Sequence, residues 1–211
     1  MMAASVKQTS GWWSVAVFWI IALGAWGTAG YALFAYTLVP LGNLVHPEMK
    51  TAFEAHRVGI LLHIFGSAFT LLLGPTQFMP RLRAARPGVH RLLGRLYLGV
   101  GVGVGGLSGL YAAFFAFGGW VSTVGFAALS LAWLYTGWRG YRAAVGRRFD
   151  EHRRWMVHNF ALAFAAVTLR AQLGVGFAVG LPFESFYPVL AWSCWVPNLL
   201  VTKWWLARQP R

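Results

Sequence analysis

Apolar and polar positions alternate along this chain in long blocks rather than at the short periods of an amphipathic helix or strand. Six apolar stretches, roughly 12–39, 58–79, 96–117, 120–143, 155–180 and 187–206, are separated by short polar gaps. A helix that crosses a bilayer needs about 20 mostly apolar residues. The pattern therefore predicts an all-α fold, an integral membrane bundle of six transmembrane helices occupying residues 12–206. Residues 1–11 are expected to form a cytoplasmic N-terminal segment and 207–211 a cytoplasmic tail. The first stretch runs from Trp12 to Val39 without a charge. A secretory signal has an apolar core of about 7–15 residues, so this stretch is expected to be a retained first helix.

Charge placement sets the orientation. Arg81, Arg83, Arg86, Arg91 and Arg95 crowd one gap, and Arg139, Arg142, Arg147, Arg148, Arg153 and Arg154 crowd another. The intervening gaps hold almost no positive charge, as cytoplasmic and external loops sort under the positive-inside rule. With six spans both termini share one side. Placing that side in the cytoplasm puts Lys7, both arginine clusters, Lys203, Arg208 and Arg211 inside. Lys50 and Arg57 then lie outside, and Arg170 falls within a span. Trp12, Trp13, Trp138, Trp155, Trp204 and Trp205 are expected at the inner interface, and Tyr31, Tyr36, Trp120 and Tyr187 at the outer one.

Composition agrees and removes some classes of function. The chain is 58% hydrophobic and 11% charged, whereas a soluble domain carries about 25% charged residues. The net charge of +13 lies beside apolar spans, so anionic lipid headgroups are the expected partners and nucleic acid is not. Arg91, Arg95, Arg153 and Arg154 are the expected lipid or anion contacts. The single cysteine, Cys194, lies in an apolar run and forms no intramolecular disulfide. There is no phosphate-binding glycine loop, no Gly-x-Ser-x-Gly elbow and no His-Glu-x-x-His. A site assembled from several spans stays open, so whether the chain is an enzyme is left undecided.

The third span contains Gly99, Gly101, Gly103, Gly105, Gly106 and Gly109. Overlapping small-xxx-small pairs let helix backbones approach closely. Packing within the bundle is favoured over a homodimer contact. Pro75 and Pro197 interrupt the second and sixth spans, each beside a polar amide, Gln77 and Asn198.

Polar groups inside a bilayer are costly and mark functional positions. Arg170 lies about 15 residues into the fifth span, roughly 22 Å along it at 1.5 Å per residue. Two readings stand: snorkelling to the outer surface, or a contact to an anion, substrate or quinone oxygen facing the interior. Glu54 and Glu184 are the available carboxylates. His56 and His63 are seven residues apart and share a helical face. His90 and His152 fall in the inner loops, and His158 begins the fifth span. His63, His90, His152 and His158, with Arg170, Gln77 and Asn198, are the candidate cofactor-binding residues. No cofactor is fixed by these residues: a heme b could be held at the inner surface between His90 and His158 or His152, since one straight helix does not supply both axial ligands, and the same three histidines could instead hold a metal ion. No metal site is assigned. The His-Arg pairs at 56–57, 90–91 and 152–153, two of them preceding a further histidine, fit an inverted repeat of three plus three helices.

Four motifs in order carry a resemblance. They are His63 to Phe78 ending Gly-Pro-Thr-Gln-Phe, then His90-Arg-Leu-Leu-Gly-Arg-Leu-Tyr97, then His152-Arg-Arg-Trp-Met156 leading to Ala163–Arg170, and Trp192-Ser-Cys-Trp-Val-Pro-Asn-Leu199. Across roughly residues 50–205 the chain resembles the bacterial membrane-protein family known as domain of unknown function 2306. The resemblance implies a polytopic domain in a bacterial cytoplasmic membrane and no assigned activity.

Three functions follow from these residues. The leading one is a redox membrane protein binding a b-type heme or a quinone through histidine and arginine. The second is a transporter or channel for a small solute or ion, suggested by the proline-kinked spans and Arg170. The third is a non-catalytic accessory or assembly subunit that binds lipid, a second copy or a membrane partner.

Overall fold

The computed structural model describes residues 12–209, with side chains from Val15 onward. The expected N-terminal segment with Lys7, the side chains of Trp12 and Trp13, and the tail residues Pro210 and Arg211 lie outside the described residues.

Among the described residues every regular element is helical. Helix α1 (Trp12–Leu38) opens the chain and a loop leads to the short α2 (Pro47–Ala55). Helix α3 (Arg57–Gln77) follows at once, then α4 (Pro80–Ala85) and α5 (Pro87–Leu96). A π-helical segment (Tyr97–Val104) joins α5 to α6 (Gly105–Ala113) without a break. Gly118 and Gly119 turn the chain through left-handed backbone into α7 (Gly119–Val145). Helices α8 (Phe149–Ala163) and α9 (Ala165–Ala178) are nearly continuous, and α10 (Phe183–Ser193) and α11 (Val196–Ala207) close the bundle.

Four helical stretches are long and apolar enough to cross a membrane: Val15–Leu38, Arg57–Gln77, Pro87–Ala113 and Phe149–Ala178. They correspond to the first, second, third and fifth expected segments. Helix α7 covers the fourth segment with 27 residues but is not among the four; Arg139 and Arg142 weight its last turns. The sixth segment is split, because α10 stops at Ser193 and α11 starts at Val196, with Pro197 in its first turn. Large apolar side chains on several faces, including Ile20, Leu62, Leu107, Val175 and Leu200, are exposed. So much outward apolar surface is a membrane-facing property rather than a water-facing one.

Two histidines expected in loops are on helices. Pro87 occupies the first turn of α5, where its missing N–H is not needed, and this starts the helix before His90. Asp150 and Glu151 occupy the first turn of α8, where carboxylates favour a helix start, so His152 is also helical.

Packing radiates from α3, which lies against α1, the π segment, α6 and α8. Ala22, Ala25, Ala29, Ala32 and Ala35 recur every three or four residues and form the buried stripe of α1. The glycines of the third segment divide by face. A Cβ on Gly66 would lie 2.8 Å from the Gly105 Cα, so α3 and α6 cross backbone to backbone there. Gly101 abuts Thr70, and Gly109 abuts the His63 ring. Gly106 faces Leu134 of α7, while Gly99 meets nothing within 4 Å. The spacing Gly101–Gly105–Gly109 is thus an internal packing face.

Asn159 of α8 is fully buried. Its amide donates to the Trp133 carbonyl at 2.8 Å and to Thr136 Oγ1 at 2.9 Å, and it accepts from the Tyr97 hydroxyl at 2.8 Å. These bonds tie the π segment, α7 and α8 together.

Candidate functional site

A cavity of about 560 Å³ lies between α1, α3, α6, α7, α9 and α10. Its walls are mainly apolar, with Ile60, Leu71, Phe126, Leu129 and Leu169 among them. At the end where α1 gives way to α2, Leu44, Val45, His46, Met49 and Phe53 line it. The polar groups brought to it include His46, His63, Thr28, Ser67, Ser130, Arg170, Tyr31, Tyr36 and Tyr187. A small-molecule site of this kind, apolar with a few convergent polar groups, typically occupies about 300–1,000 Å³.

The close crossing of α3 and α6 positions His63. Its Nδ1 donates to the Gly105 carbonyl at 2.8 Å, and Ser67 Oγ lies 3.5 Å from the same nitrogen. A carbonyl only accepts, so Nδ1 carries the hydrogen, and in the neutral ring it is Nε2 that offers the lone pair. His56 shares the face as expected: its Nδ1 lies 2.9 Å from the Tyr111 hydroxyl of α6, and its ring stacks on Phe115.

Arg170, partly buried, lines the cavity. Its Nη1 donates to the Ala166 carbonyl at 3.0 Å, and Cζ lies 5.9 Å from the centre of the Tyr31 ring. Neither expected carboxylate meets it. Glu54 pairs with Lys50 at 3.8 Å, and the other ion pairs among the described residues are Arg139–Glu151 and Arg148–Glu151. Arg170 is therefore a cavity cation with no carboxylate partner among the described residues.

The two helix breaks lie beside this site and are stitched to each other. Thr168 Oγ1 donates to the Cys194 carbonyl. Asn198 Nδ2 lies 3.0 Å from the Cys194 carbonyl, 3.2 Å from the Ala161 carbonyl and 3.3 Å from Thr168 Oγ1. Gln172 and Ser193 exchange bonds: Nε2 to the Ser193 carbonyl at 3.2 Å, and Ser193 Oγ to Oε1 at 2.9 Å. Broken helices leave carbonyls that neighbouring side chains must satisfy, and Asn198 does this rather than lining the cavity. Gln77 ends α3 beside Gly94 and Thr76, also outside the cavity lining.

The remaining candidate histidines do not join His63. His152 Nδ1 donates to the Gly140 carbonyl at 2.9 Å, and His158 Nδ1 to the Arg154 carbonyl at 2.8 Å. The buried Nδ1 of His90 has no hydrogen-bond partner among the described residues. None of the three lines the cavity. No three His, Cys, Asp or Glu side chains among the described residues gather as a metal site. His46, not a candidate from sequence, does line the cavity and stacks on Phe183 with centroids 3.9 Å apart.

The expected lipid contacts lie apart from the cavity. Arg91 and Arg95 are exposed on α5. Arg153 lies 5.9 Å from the Trp205 ring and Arg154 Nη2 donates to the Leu206 carbonyl at 3.4 Å. Arg139 lies 4.6 Å over Trp155, and Arg208 lies 3.8 Å over Trp204.

A family model described as "Predicted membrane protein (DUF2306)" matches residues 60–206. The chain belongs to this family. No curated protein and no solved structure matches the chain. The family region includes His63, Arg170, Tyr187 and both helix breaks; Tyr31, Tyr36 and α2 lie before it. Sequence reasoning placed the three tyrosines in an interfacial belt and passed over Ser67, Ser130 and Asn159. The available signal was a serine one turn after His63 and an amide directly after His158.

Proposed function

We propose that the chain is a six-span protein of a bacterial cytoplasmic membrane, with both termini inside, whose interior cavity binds a lipid-soluble molecule by an oxygen-bearing head. The observation that carries this reading is that His63 and Arg170, which has no carboxylate partner among the described residues, line one mainly apolar cavity. An interior cation and a lone-pair imidazole are costly in hydrocarbon unless a ligand uses them. Apolar walls suit the ligand's body, and arginine with tyrosine hydroxyls suits its head. The paired helix breaks support the same reading, since discontinuous spans gather around binding sites near the membrane midplane.

A quinone is the redox member of this ligand class: its carbonyl would accept from Arg170 or a tyrosine, and His63 would take a proton. A bis-histidine heme is less well served. His46 is the other histidine of the cavity, and its ring is already stacked on Phe183. The inner arginines with Trp155, Trp204 and Trp205 would hold the protein against anionic headgroups.

Extraction of the purified protein followed by mass spectrometry tests the binding reading. A lipid-soluble molecule should copurify in stoichiometric amount, and Ala112→Trp, which fills the cavity, should remove it. Equal amounts in both proteins would refute the cavity as its place.

A further inference from the structure

We infer that the cavity ligand has an anionic head, a carboxylate at the end of a single aliphatic chain. The inference rests on the binding reading above and narrows its ligand class. Arginine stays protonated throughout the biological pH range and offers five N–H donors. In Arg170 one nitrogen, Nη1, donates to the Ala166 carbonyl, and the Tyr31 ring faces Cζ. No carboxylate pairs with it among the described residues, since Glu54 is held by Lys50 and both other ion pairs use Glu151. A carbonyl and a ring face leave the charge of this partly buried guanidinium without a counter-ion on a mainly apolar wall, where such a charge is costly.

A neutral head, such as a quinone or an alcohol, accepts a hydrogen bond but leaves that charge in place. A carboxylate cancels it one for one and matches the guanidinium fork with two parallel bonds. A phosphate dianion would overcompensate a single arginine, because the other charged groups among the described residues lie outside this cavity's lining. Tyr31, Tyr36 and Tyr187 add hydroxyl donors to the same cavity. The apolar remainder, from Ile60 and Leu71 to Phe126 and Leu169, suits one hydrocarbon chain.

Binding of dodecanoate, dodecan-1-ol and a short-chain ubiquinone to the full chain in nonionic detergent tests the inference. Dodecanoate should bind about tenfold to a hundredfold more tightly than the alcohol, the range expected for a hydrogen bond to a charged partner. Arg170→Gln should erase that preference, and Arg170→Lys, which keeps the charge but not the fork, should keep part of it. Should Arg170→Gln fail to fold, the ratio measured on the unmodified chain still decides. Equal affinity for acid and alcohol, or tighter binding of the quinone than of the acid, overturns the anionic head and leaves the binding reading standing. Absence of binding by all three overturns both.

Discussion

His63 Nδ1 donates to the main-chain carbonyl of Gly105 at 2.8 Å, where α3 and α6 cross. The bond is possible because neither helix carries a side chain at the crossing point, Gly66 on one and Gly105 on the other. Packing and chemistry are thus coupled at a single place. The glycines bring the backbones together, and the contact fixes the tautomer of the imidazole that reaches the cavity.

The crossing gives a stability prediction. Gly66→Val should destabilise the protein by about 1–3 kcal/mol, the usual cost of overpacking a tight site. Gly99→Ala should be neutral or slightly stabilising, because a Cβ there meets nothing within 4 Å and alanine favours the helix. Unfolding of the two variants in detergent, followed by circular dichroism, measures both.

Asn159 gives the second. Asn159→Leu strands the buried Tyr97 hydroxyl, which loses its acceptor, and should cost about 1–3 kcal/mol. Tyr97→Phe removes only one bond and should cost less. Combining the two substitutions should cost less than their sum, since the stranded hydroxyl is then gone. Thermal unfolding of the three proteins checks the order.

The stitched helix breaks give the third. Asn198→Leu removes the amide nearest the Cys194 and Ala161 carbonyls and should destabilise by about 0.6–2 kcal/mol, the range for interhelical hydrogen bonds in membranes. Ligand affinity should change little if the bundle stays folded, because Asn198 is not part of the cavity wall. A large loss of affinity with unchanged stability would instead place Asn198 at the ligand.

Topology gives the fourth. Cys194, the single cysteine, is 1% exposed, so native protein should be silent to a thiol reagent that does not cross membranes. In intact cells Asn43→Cys should label and Ala85→Cys should not; after permeabilisation both should label. The reverse pattern would invert the proposed orientation.

Much of this architecture was legible because membrane insertion is written in blocks of composition. Apolar length marks the long helices without any tertiary knowledge, and four of the six expected segments are long and apolar enough to cross a membrane. The internal glycine face was legible in part: Gly101, Gly105 and Gly109 serve it, but Gly99 follows the same spacing without facing a neighbour. The site was less so. Histidine identity alone grouped His63 with His90, His152 and His158, whereas the fold gives His63 the company of Arg170, three tyrosines and Ser67. Spacing along a helix says which residues share a face, not which face of another helix they meet. The break between α10 and α11 is suggested by Pro197, but spacing along the chain does not show that Thr168 and Asn198 reach the Cys194 carbonyl there.

A lipid-soluble ligand held in the cavity, and not on the outer apolar surface, is distinguishable by where a reactive analogue attaches. Photolabelling with a diazirine-bearing aliphatic probe at low occupancy, followed by peptide mapping, tests it most directly. Labels should concentrate at cavity residues such as Leu71, Phe126 and Leu169 and be suppressed by Ala112→Trp. Labels spread over membrane-facing Leu107, Val175 and Leu200, and unaffected by Ala112→Trp, would contradict it.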